Sequence, residues 1–252
     1  MTVLFSVLIA IIGLISGGFL ARAAYALPRG AFREILHPRC PSCGRKIPLR
    51  FTLPIVGAFL ARFRCPHCGE KQSVTVPISE WVFAAICVLL YLVYGFSYLF
   101  FVYLLTAVAL LLLSLIDLDI KEAPHSLLLV ILLLGAMTFV FSFFSFSQTG
   151  TVWWEHLVGA FVVSLPLFLL MILTGGIGGG DVKLMFCLGL LLGYKLTLFT
   201  FFIGIILAAI VAVVLRLAFG KGSKYALPLV PFLAVGTVIS LLCGNRILAF
   251  LF

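Results

Sequence analysis

"YLFFVYLLTAVALLLLSLI", residues 98–116, contains no charged residue and is followed at once by an aspartate, Asp117. An α-helix needs about 20 predominantly apolar residues to cross the roughly 30 Å hydrocarbon core of a bilayer. The stretch therefore predicts a transmembrane helix that ends at a carboxylate near the membrane edge. The chain contains seven further apolar runs, at residues 3–21, 78–96, 126–147, 157–174, 184–194, 197–215 and 227–244.

The composition of the whole chain indicates an integral membrane protein. Of its 252 residues, 64% are hydrophobic and 10% are charged, and the mean hydropathy is +1.31. Soluble domains carry about 25% charged residues, so a normal solvated surface is excluded. We predict an all-α polytopic membrane protein with about eight transmembrane helices. The first run has no basic residue before it, which favours an uncleaved anchor over a cleaved signal peptide.

Lysine and arginine set the expected orientation, because cytoplasmic loops retain them. With the N-terminus outside, four cytoplasmic connections hold 15 of the 17 basic residues, namely residues 22–77, 117–125, 175–183 and 216–226. This sorting, together with contact with the anionic headgroups of the lipid bilayer, accounts for the net charge of +9. No nucleic-acid partner is therefore expected.

The connection at 22–77 is the only substantial one, and it contains four of the seven cysteines. We divide the chain into a first transmembrane helix at 1–21, a small cytoplasmic insertion at 22–77 and a seven-helix membrane domain at 78–252. The cysteines occur in "CPSCGRK" and "CPHCGEK" as Cys40, Cys43, Cys65 and Cys68.

Each CxxC pair, followed by glycine, resembles a zinc knuckle, and two knuckles make a tetrahedral four-thiolate site. Such a closed shell has no position for water, so we predict a structural zinc ion that folds the insertion. The alternative is a pair of disulfides. Cytoplasmic placement opposes it, because that compartment keeps thiols reduced.

Only eight acidic residues are present, and four of them border the predicted membrane on its cytoplasmic side: Asp117, Asp119, Glu122 and Asp181. Carboxylates at a membrane edge are costly, which makes each a functional candidate. Asp119 and Glu122 also fit solvated loop charges, and Asp117 could pair with Lys121 at i+4. Asp181 is distinguished by the glycine-rich stretch "TGGIGGGDVK" at 174–183, in which glycine allows close packing or room for an extended peptide.

Two carboxylates from different segments on one side of a membrane fit an aspartic protease. One acts as general base on a water molecule, while the other, protonated, polarises the scissile carbonyl. Like charges a few ångströms apart cannot both ionise, so the pair shares a proton. We expect Asp181 to open a helix, where the dipole favours the anion, and Asp117 to close one, where it does not.

These motifs resemble those of the type IV prepilin leader peptidases, a family of GxGD membrane aspartic proteases. Gly178-Gly179-Gly180-Asp181 matches GxGD, and "IDLDIKEAP" matches the first aspartate segment, in which the catalytic residue lies seven before the proline. That spacing selects Asp117 before Pro124. The two CxxC pairs, "VPISE" at 76–80 and "ALPLVPFLAVG" at 226–236 follow in family order, so the resemblance covers nearly the whole chain.

The resemblance implies removal of the basic leader from prepilins or pseudopilins at the cytoplasmic face of a bacterial inner membrane. The expected cleavage site is a glycine just before the apolar segment, commonly followed by phenylalanine or methionine. Many members then methylate the new N-terminus with S-adenosylmethionine. Here "GGFLARAAYALPRG" at 17–30 lacks the usual asparagine after "FL", and "IPLRFTLPIVG" at 47–57 only approximates its usual form. Both departures concern methyl transfer, which the sequence leaves open.

Two other functions compete with the peptidase. A proton-coupled transporter could use Asp117 and Asp181 as a relay, but both lie at the cytoplasmic edge and no charged residue continues through the spans. A zinc-binding membrane adaptor would explain the cysteines and leave the glycine and aspartate segment unexplained.

Overall fold

The computed structural model describes residues 1–32, 35, 40, 42–48, 64–71, 73–144, 152–176, 178–219 and 228–244. The chain divides into two compact units, Met1–Phe100 and Phe101–Phe252. In the described residues there is no β-strand, only an isolated bridge between Arg64 and Lys71. The predicted all-α class is confirmed.

The first unit is built on two packed helices, α1 (Thr2–Ala26) and α2 (Thr75–Tyr94). Their backbones approach closely because α1 presents glycines to α2: a Cβ on Gly13 would lie 2.7 Å from the Cα of Ala84. Small residues at such contacts are typical of helix pairs in membranes. The Ser79 hydroxyl donates to the Gly17 carbonyl oxygen at 3.3 Å, and Glu80 is buried beside it. Helix α1 continues past the predicted boundary at residue 21.

The second unit contains the remaining helices. They are α3 (Tyr98–Ile120, which begins just before this unit), α4 (His125–Phe143), α5 (Trp153–Val162), α6 (Ser164–Thr174), α7 (Gly179–Leu192), α8 (Tyr194–Phe219) and α9 (Val230–Ile239). A π-helical turn, Ser240–Gly244, extends α9. Helices α5 and α6 form one apolar span interrupted at Val163. Pro166 explains the break, because proline lacks an N–H and crowds the carbonyl four residues earlier.

The number of spans agrees with the prediction. Among the described residues, six helical segments are long and apolar enough to cross a membrane: Thr2–Ala26, Thr75–Tyr94, Tyr98–Ile120, His125–Phe143, Trp153–Thr174 and Tyr194–Ala218. Two shorter apolar units, α7 and Val230–Gly244, bring the total to eight.

Helix α7 is the core of the second unit. Leu184, Met185 and Leu188 are fully buried, and α4, α5, α6 and α8 all pack against this helix. The contact with α5 is backbone to backbone, because a Cβ on Gly189 would overlap the carbonyl group of Gly159. The apolar side chains of the surrounding helices remain exposed on their outer sides, as expected for surfaces that face lipid.

The glycine contact between α5 and α7 generates a stability prediction. Gly189→Ala forces backbone apart and should destabilise the protein by about 1–3 kcal/mol, the usual range for overpacking. Gly179→Ala is the matched control in the same helix, because the nearest atom to its Cβ would be 3.7 Å away. The measurement is the midpoint of thermal unfolding in detergent. Equal midpoints for the two variants would contradict the packing described here.

Candidate active site and metal centre

Asp117 is a buried carboxylate in the last turn of α3. Its residue is 8% exposed, and its Oδ2 accepts a hydrogen bond from the backbone N–H of Val230 at 3.3 Å. Lys121, with φ of 57°, follows the end of the helix, and its positive charge acts on Asp117. The carboxylate is thus held from inside the unit by the start of α9, while the charge of Lys121 acts on it from the end of α3.

Asp181 lies in the first turn of α7, as expected from the sequence. Gly178 is the N-cap residue of this helix, and the backbone N–H of Asp181 donates to its carbonyl oxygen at 3.1 Å. The carboxylate is close enough to Asp117 for the two groups to interact electrostatically. The structure therefore brings together two carboxylates that are far apart in the sequence.

The connection between α3 and α4 packs onto the start of α7. A Cβ on Gly180 would lie 2.9 Å from the Cβ of Ala123. Nearby, Lys183 Nζ lies 3.1 Å from His125 Nε2. These contacts hold the ends of α3 and α7 at one level of the bundle, which places Asp117 and Asp181 at the same end.

The glycines before Asp181 have different structural roles. Gly175 ends α6 with φ of +64°, a conformation that favours glycine. Gly180 permits the close contact with Ala123, whereas a Cβ on Gly176 or Gly179 would meet no atom closer than 3.6 Å. Close packing, one of the two explanations left open by the sequence, therefore applies to Gly180, whereas a Cβ on Gly176 or Gly179 would make only ordinary van der Waals contacts.

Asp119 and Glu122 are exposed and lie outside this arrangement. Their placement agrees with their interpretation as solvated charges. It also separates Asp119 from Asp117, which is two residues away in the same helix but buried.

The start of α9 is the part of the site that the sequence reasoning missed. Because Val230 is the first residue of α9 and Asp181 lies in the first turn of α7, each carboxylate lies at a helix N-terminus. The dipole of α9 favours an anion at Asp117 and so opposes the effect of the C-terminus of α3, on which the predicted difference between the two aspartates rests. The signal was Pro231, since proline is favoured in the first turn of a helix.

Four of the five cysteines of the first unit, Cys40, Cys43, Cys65 and Cys68, form one cluster. The Sγ atoms of Cys40 and Cys68 lie 3.7 Å apart, those of Cys43 and Cys65 lie 4.0 Å apart, and all four fall within 4.8 Å of one another. All four are free thiols rather than disulfides, whose S–S bond would be about 2.05 Å. A tetrahedral zinc ion with Zn–S bonds of about 2.3 Å holds its sulfurs about 3.8 Å apart. The cluster could therefore hold one such metal ion.

The two CxxC turns have the same backbone design. The N–H of Gly44 donates to the Cys40 carbonyl at 2.8 Å, and the N–H of Gly69 donates to the Cys65 carbonyl at 2.9 Å. Both glycines have a positive φ, 67° and 74°, which explains why glycine follows each pair. A backbone hydrogen bond from Cys43 lowers the pKa of the Cys40 thiol to about 6.

The chain is similar to known proteins over almost its whole length. The family model described as "Type IV leader peptidase family" matches residues 104–213, and that described as "Bacterial Peptidase A24 N-terminal domain" matches residues 11–94. A prepilin leader peptidase/N-methyltransferase of Pseudomonas putida is 30% identical over 276 residues, covering 97% of this chain and 93% of that protein. The chain belongs to the type IV leader peptidase family.

Other members of the family match over similar lengths. The prepilin leader peptidase/N-methyltransferase of Bacillus subtilis (strain 168) is 28% identical over 244 residues, covering 95% of both chains. The protein of the same name from Stutzerimonas stutzeri is 29% identical over 228 residues, covering 89% of this chain and 78% of that one. No solved structure matches the chain.

Membership of the type IV leader peptidase family supports a protease that processes type IV prepilins. With its apolar helices, it indicates a multi-pass protein of a bacterial inner membrane. Asp117 and Asp181 lie within the match at 104–213, and the four cysteines lie within the match at 11–94.

The cysteine geometry predicts metal binding. Purified wild-type protein should contain about one zinc ion per chain, and Cys43→Ser should reduce this to a small fraction, because three thiolates hold the ion less tightly than four. Elemental analysis of the purified protein measures the metal content. Cys243→Ser is the control, since Cys243 does not belong to the cluster. A metal-free wild type, or full occupancy in Cys43→Ser, would contradict the assignment.

Proposed function

We propose that the chain is a membrane aspartic endopeptidase that removes the basic leader from type IV prepilins or pseudopilins. The observation that carries the proposal is the approach of Asp117 to Asp181 at one end of the second unit, with Asp117 buried and bonded to Val230. Two interacting carboxylates that share a proton are the chemical requirement for this class of protease.

In the proposed reaction, the unprotonated carboxylate of the pair removes a proton from water as the water oxygen attacks the scissile carbonyl carbon. The protonated carboxyl donates a hydrogen bond to the carbonyl oxygen and stabilises the developing tetrahedral intermediate. Collapse of the intermediate breaks the C–N bond, and a carboxyl proton passes to the leaving amine. Both new termini are then released and the pair again shares one proton.

The exposed glycines before Asp181 support a place for the substrate backbone. Gly176 and Gly179 are exposed, and the atoms nearest to a Cβ there, Thr174 Oγ1 at 3.6 Å and Met171 Sδ at 3.7 Å, are at ordinary van der Waals distance. An extended peptide, with a glycine at the cleaved bond, would approach the two carboxylates along this exposed backbone. The expected cleavage between glycine and phenylalanine or methionine is part of this proposal.

The cytoplasmic location of the site follows from the distribution of basic residues. The connections that carry Asp117 and Asp181 belong to the set that holds 15 of the 17 lysines and arginines. A substrate with a basic leader and an apolar helix would then lie in the bilayer, with its cleavage site at the depth of the two carboxylates.

The transporter alternative lacks a continuing relay in the described residues. Thr106 and Ser114, two buried polar side chains that precede Asp117 in α3, donate to carbonyl groups of their own helix. The next buried imidazole, His156, contacts the Leu190 carbonyl at 2.9 Å, about 14 Å along α7 from Asp181. No carboxylate lies between Asp181 and Leu190 in the sequence, so the pair supports local proton transfer rather than transport.

We further propose that the four clustered cysteines bind a zinc ion with a structural role, because four thiolates leave no coordination position for water or substrate. The proposed division of the chain into 1–21, 22–77 and 78–252 is consistent with this role. Four thiolates around Zn²⁺ leave a net charge of −2. Basic residues close to the cysteines in the sequence, including Arg45, Lys46 and Arg64, offset this charge.

N-methylation with S-adenosylmethionine is the proposed second activity. Its support is the match of residues 11–94 to the N-terminal family domain and the name of the relatives, which includes N-methyltransferase. The sequence departures at 17–30 and 47–57 concern this activity. Most of the second stretch lies outside the described residues.

The carboxylate pair generates the principal prediction. Asp117→Asn and Asp181→Asn should each lower prepilin cleavage by at least about 100-fold, because each removes one half of the acid and base pair. Cleavage is measured as the shortening of a co-expressed prepilin. Asp119→Asn is the control and should retain activity. Continued cleavage in either of the first two variants would contradict the assignment of Asp117 and Asp181 as the catalytic pair. Loss of cleavage only in Asp119→Asn would assign the role of Asp117 to Asp119 instead.

The second activity can be tested apart from the first. Incubating wild-type protein with labelled S-adenosylmethionine and processed pilin should transfer label to the pilin N-terminus. Asp117→Asn should transfer the label equally well when given processed pilin, because the proposed carboxylates act only in cleavage. If wild-type protein cleaves prepilin without transferring label, the chain is a peptidase alone.

A further inference from the structure

A second site candidate is an apolar groove in the outer surface of the second unit. It has a volume of about 570 Å³ and lies between α4, α6 with the end of α5, and α7. Its walls carry large apolar side chains, of which Leu129, Phe161, Leu165 and Phe168 are each more than two-fifths exposed. Phe161 and Phe186 close one wall in an edge-to-face contact with ring centroids 5.4 Å apart. The groove is therefore ordered, apolar and open towards the lipid.

One end of the groove is basic. His125 and Lys183 line it, both are exposed, and Lys183 Nζ lies 3.1 Å from His125 Nε2. An ammonium group has three donors, so two remain after the contact with His125. None of the lining residues carries a carboxylate. An anion seated here would meet a positive charge without a competing negative one.

The groove extends from this basic end along the helices. Its lining on α4 runs from His125 to Leu132, and its lining on α5 and α6 runs from Phe161 to Phe168. Seven helical residues correspond to about 10 Å. The shape is an apolar channel about 10 Å long with a cationic group at one end, on a surface that faces the bilayer.

The groove lies on a different side of α7 from the carboxylate pair. Val182, Lys183 and Phe186 line it, whereas Asp181 and Asp117 do not. Residues two apart on a helix do not face the same direction, which explains why Lys183 and Asp181 serve different surfaces. The groove is therefore separate from the proposed active site.

We propose that this groove binds an anionic phospholipid of the leaflet at the His125 and Lys183 end. The phosphate accepts hydrogen bonds from Lys183, and the upper part of an acyl chain fills the space between Leu129, Leu165 and Phe186. Basic pockets between membrane helices bind anionic headgroups by this chemistry. If the proposed orientation is correct, the leaflet is the cytoplasmic one.

The positive charge of Lys183 favours a phospholipid over the peptidase substrate in this groove. A prepilin leader is basic under the proposed function, and placing it against Lys183 would bring like charges together without an intervening carboxylate. A phosphate has the opposite sign and fits the same position. The groove is thus better matched to a lipid than to the leader segment.

The experiment is a lipid titration of the full chain in detergent, followed by native mass spectrometry. Phosphatidylglycerol supplies the anionic headgroup, and phosphatidylcholine with the same acyl chains supplies a neutral one. Wild-type protein should bind one phosphatidylglycerol at least about fivefold more tightly than phosphatidylcholine, since one lysine near the surface contributes about this factor.

Two pairs of variants test the two ends of the groove. Lys183→Gln should weaken phosphatidylglycerol binding about fivefold, whereas Arg216→Gln removes a positive charge outside the groove and should not. Leu165→Trp should fill the apolar space and weaken both lipids. Its control is Leu173→Trp, on the same helix at a position 79% exposed and outside the groove.

Two results would overturn the proposal. The first is equal affinity for the two lipids in wild type, or equal losses in each variant and its control. The second is displacement of the bound lipid by a prepilin fragment added to Asp117→Asn protein, which would make the groove a substrate site. The titration involves no cleavage, so its outcome is independent of the proposed peptidase activity.

Discussion

The second unit depends on a carboxylate that is buried at the end of an apolar helix. A charge removed from water is costly unless it is hydrogen-bonded, and Asp117 meets this requirement through the backbone N–H of Val230 at 3.3 Å. The donor belongs to the free N–H groups that every helix start provides. The position of α9 is therefore linked to that of α3, and the contacts of Gly180 and Lys183 link α7 to the same end.

The eight spans could be predicted from sequence because length and hydrophobicity are local properties. The runs that predicted α3 and α4 needed no knowledge of their neighbours, and the two CxxC pairs specified their own turns. The contact between Asp117 and Val230 joins residues 113 positions apart. Such a contact depends on how the helices pack, and no spacing in the sequence contains it. The glycines before Asp181 illustrate the same limit, because only their neighbours distinguish Gly180 from Gly179.

The cysteine cluster and the carboxylate pair lie in different units, and they are held in place by different kinds of contact. The cysteine turns hold their ligands through short local hydrogen bonds, so each turn is complete within about six residues. The carboxylates are held by contacts among three helices, α3, α7 and α9, that are far apart in the sequence. This difference explains why the four clustered cysteines could be predicted from their spacing alone, whereas the contact of Asp117 with Val230 could not.

Helix α7 contains 14 residues and is about 21 Å long, which is about 9 Å less than the hydrocarbon thickness. Helix α8 begins at Tyr194, directly after the turn at Gly193, so the end of α7 and the start of α8 lie at the same level. The missing length of α7 is therefore at its other end, which carries the glycines before Asp181. A depression in the membrane surface at this end would admit solvent to the polar backbone before Asp181. The water consumed by hydrolysis would then arrive from the nearest aqueous phase, without a channel through the bundle.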